Sequence, residues 1–436
     1  MMRSMFSGVS GLRTHQTRMD VIGNNIANVN TVAFKSGRVT FQEVFSQTVK
    51  GATAPNDETG RGGQNPMQIG LGVGVGSIDT IMTGGSPQRT DNLTDIAIDG
   101  EGFFIVQGGR NDTYRFTRAG NFGLDKLGNL VTASGMNVMG WQNYEVNADG
   151  SYEFNTEDPL EPINIYTGKR MIAAKATSNA AFEGNLNVGL SSLGAAAGAS
   201  NVQVTVPLTV YDSLGTAHKV GIQFWKISSA DTGTGVETAW KWAVDTGAAS
   251  MSTASGILMF DENGRVLASS LTGLDVTFTP ATSSGTTSFD VTLDFSNLTM
   301  YASDNSVQTS YVDGYTTGEL VTFNVGGDGI LTGVYSNGKQ QPLAMLALAS
   351  FSNPAGLQKV GENMFLPTTN SGDFEKAVKA GSGGTGMLNP GSLEMSNVDL
   401  SREFTEMIVT QRGFQANSRI ITTSDEMLQE LVNLKR

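Results

Sequence analysis

Cysteine is absent from this 436-residue chain, and with it go the disulfide frame, the zinc–thiolate site and the cysteine nucleophile. That absence suits either side of a membrane and leaves the compartment open. Histidine is scarce. His15 and His218 are the two in the chain, and neither falls in an H-E-x-x-H pattern, which excludes a zincin site. No G-x-S-x-G elbow occurs. No stretch approaches 18 consecutive apolar residues, so a spanning helix is excluded. The N-terminal segment also lacks the apolar core and small-residue cleavage site of a secretory signal; export, if any, is expected by another route. Charged residues make up 16%, with a formal net charge of −13. A surface short of positive charge does not suit nucleic acid, and the acidity reads as solubility.

What the chain does have is length, glycine and alternation. At 436 residues, two or three domains are expected. With 39% hydrophobic residues and 54 glycines, the composition is that of an all-β protein with many tight turns. From about Met67 the apolar period is two, through Ile69, Leu71, Val73 and Val75, and strand patterns continue to about Trp141. A second β region, from about Asn143 to Thr317, includes Val202–Val210, Val220–Ile227 and Val291–Phe295, with a hairpin signal at Asn263-Gly264. Strands resume after Gly318, with Asn337-Gly338 as a second hairpin signal. One domain interrupted by another is the expected plan. Gly51–Pro66 and Gly381–Gly391 read as loops or mobile joints, and Ser191–Ser200 and Ala281–Ser288 as surface loops. Between helix and strands, Val39, Phe41, Val44, Phe45 and Val49 predict an extended or partly helical connector.

The two ends read differently. Met5, Leu12, Met19 and Ile26 fall at successive sevens, as do Leu400, Met407, Phe414, Ile421 and Leu428. Such a repeat predicts helices that each lay a narrow seam on a partner helix. They are expected over 4–28 and from about Ser396 to Leu434, roughly 37 and 57 Å long. Asn24, Asn25, Asn28 and Asn30 crowd the end of the first, and Asn397 or Ser401 is the expected cap of the second. The alternate lanes, Met2, Val9, Gln16, Gly23 and Phe404, Gln411, Ser418, Asp425, Val432, are partly polar. A seam of this kind predicts helices that are weak singly and strong in an array. Catalytic signals are poor: the glycines of Gly70–Gly76 sit in strand pattern with no helix after them, so a dinucleotide loop is not expected. The site reading is catalytic, cofactor and metal none.

The residues carry more than periodicity. Ser7-Gly-Val-Ser-Gly-Leu-Arg13, Met19-Asp-Val-Ile-Gly-Asn-Asn-Ile-Ala-Asn28, Ala33-Phe34-Lys35-Ser36, Gly391–Leu400, Met407–Asn417 and Thr422–Leu431 closely resemble the terminal signatures of the bacterial flagellar rod and hook family. Asp95–Phe104, Arg118–Phe122 and Asp125–Val131 resemble that family's shared β core. Ala33 stands where the family usually has glycine, a departure confined to the local turn. The large central insert is more similar to the hook members than to the rod members.

The resemblance implies a structural, non-enzymatic subunit. It would polymerise with itself into a curved hollow tube, the universal joint that passes torque from rod to filament. The implied fold is mainly β with α-helical termini. Residues 1–30 with 396–436 would form a coiled-coil assembly layer and 31–66 with 366–395 linkers. A split β domain would span 67–142 with 318–365, and an inserted outer β domain 143–317. Assembly contacts are expected at Met5, Leu12, Met19, Asn25, Ile26, Asn28, Leu400, Met407, Gln411, Phe414, Ile421 and Leu428. Implied partners are further copies of the chain, the distal rod, the hook cap, the hook–filament junction proteins and the flagellar export apparatus. Nucleic acid, membrane insertion and cofactors are not expected. The implied place is the extracellular flagellum, reached without a cleaved signal. A distal rod protein is the alternative within the family; a secreted β-rich adhesin or enzyme is the alternative outside it.

Overall fold

Helix α1 covers Met2–Ala27 and stops where the asparagines gather. The computed structural model describes residues 2–55, 62–109, 113–147, 152–193, 202–228, 239–245, 254–279 and 285–434. Asn28 Nδ2 donates to the Asn24 carbonyl at 2.9 Å and Asn28 Oδ1 accepts from Thr31 Oγ1 at 3.0 Å. Short amides of this kind hold backbone groups that a continuing helix would otherwise take. Asn25 is buried and bonds both backbone groups of Gly37, donating to the carbonyl and accepting from the N–H at 2.9 Å each. The helix therefore fixes the first residue of the strand that follows.

That strand opens a long antiparallel hairpin. β1 (Gly37–Glu43) and β2 (Ser46–Lys50) run out; β3 (Met67–Gly70) and β4 (Val73–Thr80) return. Gly37 faces Thr80 at one end and Lys50 faces Met67 at the other. The connector of Val39–Val49 is thus extended throughout its strands, with a bulge at Thr40/Phe41. Of Gly51–Pro66, an isolated bridge between Thr53 and Gln64 closes the described part, and residues 56–61 lie outside the described residues. The sequence groups Met67 onward with the later strands, yet β4 hydrogen-bonds β1 and lies against α1.

The chain divides into two compact units, one of 1–167, 323–332 and 342–436, the other of 168–322 and 333–341. In the first, strands from the two halves of the chain alternate. β5 (Pro87–Arg89) pairs with Ser392–Glu394, and β6 (Ile96–Asp99) with Met387–Pro390. β7 (Phe103–Gln107) pairs with β8 (Arg115–Thr117), with Asn137–Trp141 and with Leu348–Ala349. β8 in turn pairs with Met364–Leu366. Phe103, Ile105, Phe116, Trp141, Phe154 and Phe365 are the large buried side chains of its core. Unbroken apolar strand sequence such as Phe103–Val106 fits a strand buried on both faces.

The second unit holds two four-stranded sheets over one core. Val204–Tyr211, Ala217–Ile227, Ala239–Val244 and Ser255–Met259 form an antiparallel meander. Asp275–Phe278, Phe289–Thr299, Asn179–Asn185 and Gln308–Val312 form the other, with Asn179–Asn185 parallel to Phe289–Thr299. Strict alternation places Val291, Leu293 and Phe295 inward against Phe224, Trp240 and Trp242. The Asn263-Gly264 signal is a turn, with Gly264 at φ 74° and Asp261 N donating to Arg265 O at 2.8 Å. Residues 194–200 and 281–284 of the two low-complexity loops lie outside the described residues.

Helix α2 covers Leu400–Asn433. Its cap is Asp399, whose Oδ1 accepts from Ser401 N at 2.9 Å and Arg402 N at 3.3 Å. This corrects the expectation of Asn397 or Ser401. Asn397 is engaged elsewhere: its Oδ1 accepts from Ser36 N at 2.8 Å and its Nδ2 donates to Ile81 O at 2.9 Å. The architecture is mainly β with helices at its two ends, the class expected from the sequence.

Candidate assembly interface

The two helices pack antiparallel, and the residues between them are small or polar. Ser4 meets Ser424, with hydroxyls 3.5 Å apart. Ile421 lies over Gly8 and the Asn417 amide over Gly11. The His15 ring lies over Gly413, and Arg18 donates to Glu406 at 3.0 Å. A Cβ on Gly11 would come within 2.8 Å of the Asn417 amide nitrogen, and one on Gly413 within 2.7 Å of His15 Cε1. Glycine inside a helix costs about 1 kcal/mol against alanine, so these positions need a packing reason. Close approach of the two backbones supplies it.

This geometry places the predicted residues as follows. Met5, Leu12, Met19 and Ile26 are half-buried, flanking the contact. Met407, Phe414, Ile421 and Leu428 are half-buried, whereas Leu400 is 39% exposed and Gln411 is exposed. Asn25 is buried against Gly37, and Asn28 caps α1, so both serve the chain's own root. The alternate lanes need correction. Met2, Val9, Gln16 and Gly23 are exposed, as are Phe404, Gln411, Asp425 and Val432. The lanes that meet run through Gly8, His15 and Ile22 on α1 and through Glu403, Thr410, Asn417 and Ser424 on α2. Apolar scoring passes over such residues; the glycines inside a helical pattern were the available signal.

The seam is electrostatically uneasy. Among the described residues no hydrogen-bond partner reaches the buried His15 Nδ1, Glu403 Oε2 or Thr410 Oγ1. Burial pushes the Glu403 carboxyl up, against opposing help from Asn25. Glu406 feels the same burial, but the hydrogen bonds from Arg18 and Arg402 outweigh it and hold its carboxyl down. Burial first, then the Arg18 charge, lowers the His15 imidazole. The His15 ring also meets Phe41 of β1 edge-on at 5.6 Å, and the Arg18 guanidinium lies 5.5 Å from the Phe41 ring. The hairpin docks on α1 through Val73, whose N–H donates to Ser10 Oγ at 3.3 Å and whose carbonyl accepts from Thr14 at 3.4 Å.

Away from the seam the helices show apolar faces. Phe6 and Val9 on α1, and Phe404, Ile408, Val409, Ile420 and Leu431 on α2, are all exposed. Each helix thus turns mostly small or polar residues toward its partner and leaves several large apolar ones outward. Among the described residues no cluster of three His, Asp or Glu side chains could hold a metal, and no helix is long and apolar enough to cross a membrane. His218 contacts the buried Asp212 at 3.2 Å, whose other oxygen takes the N–H groups of Leu214 and Thr216 and closes a hairpin turn.

Known proteins share both the ends and the strands. Residues 5–35 match the family described as "Flagella basal body rod protein" and 389–434 "Flagellar basal body rod FlgEFG protein C-terminal". Residues 97–177 match "Flagellar hook protein FlgE/F/G D1 domain" and 194–315 "Flagellar basal body protein FlaE D2 domain". The chain is 41% identical over 473 residues to the flagellar hook protein FlgE of Treponema pallidum, covering 100% of each. It is 34% identical to that of Salmonella typhimurium, over 99% of this chain and 100% of the relative. It is 33% identical to the flagellar basal-body rod protein FlgG of Bacillus subtilis, with 100% of each covered. The crystal structure of Helicobacter pylori flagellar hook protein FlgE2 shares the fold at 14% identity and TM-score 0.50, over 71% of this chain and 100% of that one.

Proposed function

The chain belongs to the flagellar hook protein family, and from that premise we propose that its outward apolar helix faces are the surfaces through which copies join. It is a structural subunit of the hook, the curved joint between rod and filament in bacterial motility. The observation that carries the proposal is the inversion on α1 and α2: mostly small and polar residues line the seam inside one chain, while Phe6, Phe404, Ile408 and Val409 stay exposed. An isolated protein that leaves such a stripe in water has a large apolar area to bury on association. Met5, Leu12, Met19, Ile26, Met407, Phe414, Ile421 and Leu428 border that stripe and would be covered with it.

On this reading 1–30 with 396–436 form the assembly layer, 31–66 with 366–395 the linkers, 67–142 with 318–365 a split β body and 143–317 its insert. The chain acts without catalysis. Its neighbours beyond other copies are the distal rod, the hook cap and the hook–filament junction proteins. It reaches the cell exterior through the flagellar export apparatus without a cleaved signal. Ile408→Asp tests the central claim, because Ile408 is 58% exposed. The variant should fail to form hooks by electron microscopy while its β circular dichroism and melting stay as in the wild type. Hooks of normal length from Ile408→Asp would sink the proposal.

A further inference from the structure

The chain leaves α1 and enters α2 through two short segments, and these cross at one buried cluster of charge. Lys35 Nζ donates to Glu394 Oε1 at 2.6 Å and to the Thr83 carbonyl at 2.8 Å. Glu394 Oε1 also accepts from Gly85 N at 2.9 Å, and its Oε2 stands 3.0 Å from Arg118 Nε, off the angle of a hydrogen bond. Arg118 donates to the Gly100 carbonyl and lies against the Phe103 ring. The three side chains are 0%, 3% and 1% exposed. Backbone ties follow the same route. Ala33 N donates to Glu394 O at 2.8 Å, Asn363 Nδ2 to Val32 O at 2.8 Å, and Lys359 Nζ to Lys35 O at 2.9 Å.

We propose that Lys35, Glu394 and Arg118 form a clasp that locks the roots of both terminal helices to the β body and sets the torsional stiffness of the assembled tube. This rests on the hook-subunit reading. Torque that enters by the helices and leaves by the strands, or the reverse, has two covalent routes within this chain, one through 28–36 and the hairpin of β1–β4, the other through 394–399, and the clasp ties the helix-proximal end of both to Arg118 beside β8. Apolar contact is non-directional, so two greasy surfaces slide under shear at little loss. The Lys35–Glu394 hydrogen bond is charge-assisted, short and directional, so it resists the same displacement, and the buried Glu394–Arg118 ion pair adds a charge attraction that separation would cost. A buried ionic triad is also a poor device for stability alone, because well-packed apolar replacements commonly hold a fold as well or better. Directional stiffness accounts for its presence where thermodynamic stability does not.

The test uses that distinction. Lys35→Met alone strands Glu394 and weakens the fold, so the informative variant is Lys35→Met/Glu394→Leu/Arg118→Met, with Lys35→Arg as the conservative control. The triple variant should melt near the wild type and still assemble hooks. Its torsional spring constant, read from the angular fluctuations of a bead on a hook with the motor locked, should fall at least two-fold. Amides of 28–36 and 394–399 should lose protection about ten-fold in hydrogen exchange while those of β7 keep theirs. Lys35→Arg should keep most of the stiffness. Unchanged stiffness in the triple variant would overturn the clasp. So would collapse of the β body, since the triad would then be core and not coupling. If the wild-type chain itself built no hooks, the subunit reading would fail instead.

Discussion

Ala33 is a single residue in the wrong conformation for its kind. Its φ of 56° lies in the left-handed region, and its side chain is buried at the root of α1. Glycine adopts that region freely, whereas a β-branched residue there is a true outlier. The chain turns left-handed here to bring Ala33 N to Glu394 O at 2.8 Å, a conformation that suits the glycine the family resemblance leads one to expect at this position. Ala33→Val should therefore destabilise the first unit by about 2 kcal/mol, within the 1–3 kcal/mol of a strained backbone residue. Ala33→Gly should cost less than about 1 kcal/mol, because relief of strain offsets the lost methyl and the added chain entropy. Denaturant titration of both variants checks the order, and a Val variant as stable as the wild type would refute the strain. Single-residue roles were legible where chemistry is local, as with the asparagines that end α1. They were not legible where a residue's partner lies hundreds of positions away: nothing beside Asn397 or Asp399 in the chain says which of them the strands will claim.

At the scale of elements, the sevens gave the helices and one flank of each seam, and missed the facing lane. Hydrophobic periodicity reports the width of an apolar face, not which edge of it the partner occupies. Here the partner sits where side chains are smallest, and the large apolar residues are left outside. Gly413 tests this directly. Gly413→Leu must displace the His15 ring, an overpacking of about 1–3 kcal/mol. On the proposal that the helix pair carries assembly, the critical concentration for polymerisation should rise about 5- to 150-fold. Adding His15→Ala opens the space again, and the double variant should recover part of the loss, a coupling expected for residues in contact. If Gly413→Leu polymerised at the wild-type concentration, close approach at this point would be irrelevant to assembly.

For the molecule as a whole, the sequence showed a mainly β chain with helical ends, because period-two patterns, turn dipeptides and sevens are local signals. The pairing of β6 with Met387–Pro390 and of β5 with Ser392–Glu394 joins strands whose sequences hold no mark of one another. Closing such a loop costs several kcal/mol of chain entropy, and large apolar cores in each unit support it: Phe103, Phe116 and Trp141 in one, Phe224, Trp240 and Phe295 in the other. The helix pair has no comparable core. Its seam is mostly glycine and polar side chains with few large apolar ones, and the buried His15 Nδ1, Glu403 Oε2 and Thr410 Oγ1 in it lack hydrogen-bond partners among the described residues. Each such atom costs about 1–3 kcal/mol, so the pair should open before either β core. Amide exchange in the monomer should then run at least about 100-fold faster over Met2–Ala27 and Leu400–Asn433 than over Phe103–Gln107 and Val204–Tyr211, as expected of regions with few buried apolar contacts. In assembled hooks the helices should gain protection and approach the strands, since the proposed interface covers Phe6, Phe404 and Ile408. Equal protection of helices and strands in the monomer would mean that the seam is strong by itself, and that assembly does not order the ends.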